Sequence, residues 1–300
     1  MSIKVPDNVQ RLCPGERGYP ELLAMISDPP AELYVRGALP REPGIAMVGS
    51  RRCTAYGRRI AYRLAIDVAR CGFAVISGLA RGIDAAAHRG ALDGGGRTVA
   101  VLPTGIDTIY PPSHEHLARQ IARTGALVTE FEPGTPVFPS NFHQRNRIIA
   151  GLAAAVVVVE AAHQSGTKIT VKFALDYNRD VLAVPGPIDS RTSQGANGLI
   201  VEGAALCSGI DSILAHLPEW AKPEAEPLLE TVRAAAAKRV ANLDAVARSV
   251  FEAVPADTGC SVEYLVAATG LPVPALLAAL TDVEARGLIR SIGGRRYERV

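Results

Sequence analysis

Six short apolar runs, at 45–49, 73–77, 98–102, 126–131, 153–160 and 181–184, constrain this chain more than any other feature. Each is continuous rather than alternating, and most are rich in Val, Ile or Ala. A strand with one wet face alternates apolar and polar residues; a strand covered on both faces does not. Segments with helical periodicity lie between the runs, at 57–70, 84–92, 114–124 and 167–178. Strand then helix, repeated, predicts an α/β fold built on a doubly wound parallel sheet.

Around that sheet domain, placed at 41–217, the organisation is simple. Residues 1–40 read as a preamble that packs on the sheet rather than folding alone. At 218–240 three prolines precede an Ala-rich charged run, which reads as a linker leading into a helix. The tail at 241–300 predicts helices at 243–254, 261–269 and 274–286. Gly270-Leu271-Pro272 forms the turn between the last two, and a hairpin with a Gly293-Gly294 tip follows. That order is the order of a small winged helix-turn-helix. Its third helix carries almost no basic residue, which points toward protein contacts rather than base reading.

Composition excludes several classes. No stretch of about 18–20 apolar residues exists, so no membrane span is expected. The N-terminal residues lack the apolar core of a signal peptide, which predicts a cytoplasmic protein. The five cysteines are scattered and form no CxxC pair, and His114-Glu115-His116 lacks the helical HExxH spacing. Neither a disulfide framework nor a metal site is expected. The net charge of +2 is uninformative, but Arg51, Arg52, Arg58 and Arg59 crowd one segment, Arg145 and Arg147 another, and Arg286, Arg290, Arg295 and Arg296 the tail.

In an open parallel sheet, ligands bind outside the carboxyl ends of the strands. Here those ends run into Gly49-Ser50-Arg51-Arg52 and Thr54, then Ser77-Gly78 through Arg81 to Asp84, Pro103-Thr104-Gly105, Ser165-Gly166-Thr167 and Pro185-Gly186-Pro187. Small residues let backbone N–H groups approach an anion, helix N-termini add partial positive charge, and hydroxyls and arginines donate to phosphate oxygens. Five such turns on one edge predict a phosphate-rich ligand. No GxGxxG follows the first strand and no GxxxxGK[ST] occurs, so neither a dinucleotide cofactor nor a P-loop nucleotide is indicated. No cofactor is expected. Nor does spacing specify a nucleophilic triad or paired acid and base.

The ordered segments VGSRRCTAYG, ISGLARGIDAAAH, AVLPTGIDTIYP, QRNRIIAGL, VVVVEAAHQSGTKIT, AVPGPID and GANGLI resemble the DprA/Smf (DNA processing protein A) family over roughly residues 18–217, and the tail resembles that family's winged-helix domain. The resemblance implies an extended Rossmann-like domain that binds single-stranded DNA with little sequence preference. It also implies a non-enzymatic homodimer that protects incoming strands in natural transformation and loads the RecA recombinase. By position, it places Gly49, Ser50, Arg51, Thr54, Ser77, Gly78, Arg81 and Gly105 in the phosphate pocket, with Arg145, Asn146, Arg147, Ser165, Gly166 and Thr167 on its other side. Tyr110, Phe138 and Phe142 are candidates for base stacking. Departures are Pro103 where members usually have Gly, His143 for Pro, and Ser113-His114 after the Tyr-Pro pair where Asn is common. The N-terminal helical domain of many members has no counterpart here.

Two rival readings follow from other features. A nucleotide hydrolase would use Glu130 or Glu160, but Ser165-Gly166-Thr167 is not followed by the Glu of the PGG-GT-x-x-E pattern. A transcription regulator would read duplex DNA with the tail.

Overall fold

All six apolar runs become neighbouring strands of one nine-stranded sheet, in the order β1-β2-β6-β5-β4-β3-β7-β8-β9. This computed structural model describes residues 8–222, 240–255, 259–292 and 294–299. The runs are β3 (Gly44–Val48), β4 (Ala74–Ser77), β5 (Thr98–Val101), β6 (Ala126–Thr129), β7 (Ala153–Val158) and β8 (Asp180–Ala183). They pair in parallel, and a two-residue strand, β9 (Ala205–Leu206), extends the sheet beyond β8.

Why the runs are continuous is visible in their packing. On β5, Val99 and Val101 join a core with Ile148 and Ile149, whereas Ala100 and Leu102 join a second core with Leu117 and Ile121. Alternate residues thus enter opposite helix layers, and each of these four positions is apolar. Ile148 and Ile149 sit on α5 (Pro139–Leu152), Leu117 and Ile121 on α4 (Glu115–Thr124). The remaining long helices are α2 (Ala55–Arg70), α3 (Ile83–Asp93) and α6 (Thr167–Asp176). Each fully buried branched side chain contributes about 1.5–3 kcal/mol.

The N-terminal segment differs from the expectation of a preamble laid against the sheet. It supplies two strands, β1 (Val9–Leu12) and β2 (Leu33–Gly37), separated by the short α1 (Glu21–Ala24). β1 pairs antiparallel with β2, and β2 antiparallel with β6. The parallel sheet therefore carries an antiparallel edge. Further along, α7 (Gln194–Val201) and α8 (Ile210–Ala215) flank β9.

The chain divides into two units, Met1–Leu228 and Leu229–Val300. Of the stretch read as a linker, Pro218 and a 3-10 turn at Glu219–Ala221 are described, and 223–239 lie outside the described residues. The second unit has α9 (Ala245–Ala253), β10 (Cys260–Ser261), α10 (Val262–Thr269), α11 (Val273–Ala285), β11 (Ile289–Ser291) and β12 (Arg296–Arg299). Asp244 and Ser261 cap the first two helices through their side chains, and Gly270 ends α10 in the left-handed conformation (φ 67°). Leu265, Leu276, Leu280, Val283 and Leu288 form its own core. The hairpin β11–β12 takes β10 as a third strand; its expected tip residue Gly293 lies outside the described residues. No helix of the described residues is singly long and apolar enough to cross a membrane.

Candidate phosphate-binding cleft

β3 and β7 are adjacent, and the sheet grows from β3 toward β6 on one side and from β7 toward β9 on the other. Their carboxyl ends mark the crevice where the two windings diverge. A cleft of about 650 Å³ opens there.

The loop after β3 is held by the end of β7. Glu160 accepts the Thr54 N–H at 2.9 Å and the Thr54 hydroxyl at 2.5 Å, while its own carbonyl accepts the Ser50 N–H at 2.7 Å. Thr54 in turn caps α2 by accepting the Gly57 N–H at 3.1 Å. Gly57 is required because a Cβ there would lie 2.3 Å from the Glu160 carboxyl carbon. On the other side, Ile83 N–H donates to the Ser50 carbonyl at 3.2 Å. Gly82, at φ 82°, lets the two loops touch, since its Cβ would fall 2.2 Å from the Ser50 oxygen. Ser50 and Arg51 are thereby presented by a braced turn, and the exposed Arg51 guanidinium lies 4.5 Å from the centre of the Phe142 ring.

Facing this turn is the N-terminus of α6. Ser165 donates its hydroxyl to Thr167 Oγ1 at 2.9 Å and accepts the Thr167 N–H at 3.2 Å. Gly166 is exposed and has open space around it. The partial positive charge of the helix end and Arg51, Arg52 and Arg145 all address one cleft. Its one lining carboxylate, Asp84, is buried and accepts the Gly78 and Ala80 N–H groups at 3.1 and 3.3 Å. Burial pushes its pKa up, against the pull of Arg145 and those two N–H groups.

Of the fourteen residues expected here, Gly49, Ser50, Arg51, Arg145, Asn146, Ser165, Gly166 and Thr167 line the cleft. Arg145 does so in an unexpected state: it is buried, and its Nη1 donates to the carbonyls of Gly78, at 2.6 Å, and Val101. Gly78 leaves room for it, because a Cβ would lie 2.1 Å from that nitrogen. Burial lowers the Arg145 pKa to about 10, with Asp84 opposing the shift.

The other expected residues are elsewhere. Arg147 is the clearest correction: its guanidinium pairs with Glu130 at 2.5 Å and with Asp28 at 3.3 Å, and it does not line the cleft. Two residues along a helix turn the side chain by about 200°, so Arg145 and Arg147 of α5 cannot serve one site. Thr54 supports the loop through Glu160, as described. Ser77 is buried and donates to the Met47 carbonyl at 2.6 Å. Arg81 is exposed and outside the lining. Gly105 is buried, donating its N–H to the Thr135 carbonyl at 3.0 Å.

Sequence reasoning missed Arg52, Asp84, His143 and Gln164 as lining residues, although Arg52 and Asp84 lay within the turns it singled out. Of the three stacking candidates only Phe142 lines the cleft; Tyr110 packs edge-on against it at 5.7 Å, and Phe138 is half exposed. The two carboxylates of the hydrolase reading are both engaged, Glu160 with Thr54 and Glu130 with Arg147, and neither lines the cleft. The regulator reading fares no better, because α11 contains no Arg or Lys and exposes Val273 and Leu277.

Comparison with known proteins identifies the family and the fold. The profile of the family described as DNA recombination-mediator protein A matches residues 10–218, and that of the DprA winged helix domain matches 234–295. Protein Smf of Synechocystis sp. is 35% identical over 97% of this chain and 80% of its own length. The solved DNA processing protein A of Streptococcus pneumoniae superposes with a TM-score of 0.68 at 37% identity, over 71% of this chain and 75% of that one. A structure concerned with the single-stranded DNA binding mode of DNA processing protein A from Helicobacter pylori gives 0.61 at 26% identity, over 68% and 93%. The chain belongs to the DNA recombination-mediator protein A family, also known as DprA/Smf.

Proposed function

We propose that the chain binds single-stranded DNA by its phosphodiester backbone in the cleft between β3 and β7, without enzymatic turnover. One observation carries this reading: the Ser50–Arg51 turn and the α6 N-terminus converge on one crevice. Backbone N–H groups and Ser165 meet phosphate oxygens, Arg51 adds a charge-assisted contact, and Phe142 offers a ring face to a base. The Helicobacter pylori relative supports the choice of single-stranded DNA as ligand. In the cell the protein then acts in the cytoplasm as a homodimer, shielding strands taken up in natural transformation and passing them to the RecA recombinase. For the dimer we infer the β9 side of the sheet, its last strand among the described residues, where Leu206 and the nearby Val201 are exposed.

The test is a competition between single and double strands at several salt concentrations. The single strand is expected to win, poly-dT and a mixed sequence to bind within a few-fold, and log affinity to fall with log salt by about 0.7 per phosphate contacted. A flat salt response would overturn the backbone reading.

Arg51→Ala is expected to weaken single-strand binding about 5- to 150-fold, corresponding to about 1–3 kcal/mol for a charge-assisted contact. Its side chain is exposed, so the melting temperature should not move. Unchanged titration curves would remove Arg51 from the site.

A further inference from the structure

A second basic surface lies away from the cleft, beside the β2–β6 pair near the antiparallel side of the sheet. Arg36, near the end of β2, sits beside Leu127 at the start of β6. On α4, Arg119 and Arg123 are exposed one turn apart. These three arginines, with Asn8, Gly37 and Ala122, line a groove of about 440 Å³ that contains no carboxylate among the described residues. Among the described residues Arg36 and Arg123 make no ion pair, and Arg119 reaches only Glu115, across 3.2 Å with both side chains well exposed. Such an exposed pair is weak and readily exchanged for another anion.

A series of neighbouring residues leads from the groove toward the cleft. Arg36 and Arg119 also line an adjoining hollow of about 370 Å³, whose other wall includes Asp107, Thr108, Ile109 and Pro112. The hollow also carries two carboxylates, Asp107, whose oxygens both accept the Gly134 N–H at 2.9 and 3.1 Å, and Glu115, which pairs with Arg119. Tyr110, next to Ile109, is partly exposed and packs against Phe142, which lines the cleft. Tyr110 thus lies between Phe142 of the cleft and Ile109 of the hollow, and the hollow shares Arg36 and Arg119 with the groove.

We propose that this groove is a second contact for the same strand, Arg36, Arg119 and Arg123 holding the phosphodiester backbone after it leaves the cleft past Tyr110. The proposal rests on the reading of the cleft as a single-strand site. Continuity favours a polynucleotide over an acidic protein segment: an aromatic lies where a base can stack, and the cations lie beyond it. From Glu115 to Arg123 the helix advances about 12 Å, so only a strand several nucleotides longer than the cleft needs can reach the far arginine.

The prediction is a dependence on length. In the full chain, Arg36→Gln/Arg123→Glu is expected to bind an oligothymidylate of about 5 nucleotides like the wild type, and one of about 20 nucleotides roughly 10-fold more weakly. With the long strand its log–log salt slope should be shallower by about 1.4, or about 0.7 for each of two lost contacts. Should circular dichroism show the double variant misfolded, Arg123→Glu alone, on an exposed side chain, is expected to show the same length dependence at smaller amplitude. Equal affinity of variant and wild type for the long strand overturns the groove alone. Displacement of bound polyglutamate by the double substitution, with long-strand binding unchanged, also overturns it, assigning the groove to an acidic protein. A wild type that binds neither length overturns the cleft reading, and the groove with it.

Discussion

Arg145→Ala is expected to destabilise the first unit by about 3–5 kcal/mol, the cost of breaking a buried ionic arrangement from one side. Its guanidinium satisfies the carbonyls of Gly78 and Val101, at the ends of β4 and β5, and its charge opposes the burial of Asp84. Truncation leaves two carbonyls without a donor, a carboxylate without its main cation, and a void under the cleft. For a unit of this size the melting temperature should fall by on the order of 10 °C. Gly78→Ala should fall in the same direction, because its new methyl group would occupy the place of Nη1. Thermal unfolding of both variants beside Arg51→Ala separates the roles. A stable Arg145→Ala that fails only to bind DNA would make Arg145 a ligand contact and not a brace.

Acid is expected to destabilise the protein through His88, starting unusually close to neutrality. His88 is fully buried on α3, and its Nδ1 lies 2.7 Å from the Thr98 hydroxyl, which donates onward to the Val75 carbonyl at 2.6 Å. That onward bond leaves the hydroxyl oxygen as acceptor, so Nδ1 carries the proton and Nε2 is bare. Nε2 is buried without a partner in the described residues, and a proton arriving there would find no acceptor. Burial first, then the charges of His114, Arg145 and Arg89, lower the pKa from 6.5 to about 3. Because the folded value lies below the unfolded one, the unfolded chain binds more protons between them. Stability is complete above about pH 6.5 and is lost as pH falls toward 3, at up to about 1.4 kcal/mol per pH unit. Between pH 6.5 and 4.5 this amounts to about 2–3 kcal/mol. Denaturant titrations of wild type and His88→Gln across that range should differ in slope by close to one proton. Identical slopes would mean that His88 does not titrate with folding.

The central strands were legible because each must be apolar on both faces, and their shortness, flanking turn residues and Val/Ile content set them apart from a buried helix segment. β1 and β2 were not legible, because VQRL and LYVRG are short and keep polar residues among the apolar ones. The cleft was legible wherever backbone geometry demanded small residues, as at Gly49-Ser50 and Ser165-Gly166. It was misread wherever a charge turned inward. Arg145, Asn146 and Arg147 form a basic cluster along the chain, but helical rotation sends the two arginines into different partnerships, one with strand-end carbonyls and one with Glu130 and Asp28. Glu160 had the opposite fate. Only the rival hydrolase reading offered it as an acid, beside Glu130, and it is the bracket for the loop that carries Arg51.

The antiparallel edge has a consequence for how the chain emerges from the ribosome. β2 is synthesised early, yet its partner β6 follows about ninety residues later. At about 5–20 residues per second, Leu33, Tyr34 and Val35 wait for several seconds with β1 alone beside them and the other side of their strand unpaired. β3, though central, likewise cannot be flanked on both sides until residues 153–158 of β7 have been added. Contacts so distant along the chain make closure of the sheet slow, and they leave an apolar strand open to other nascent chains in the meantime. Expression at lower temperature or with holdase chaperones should therefore raise the soluble yield more than any change to the second unit, whose core is assembled from residues close together in sequence.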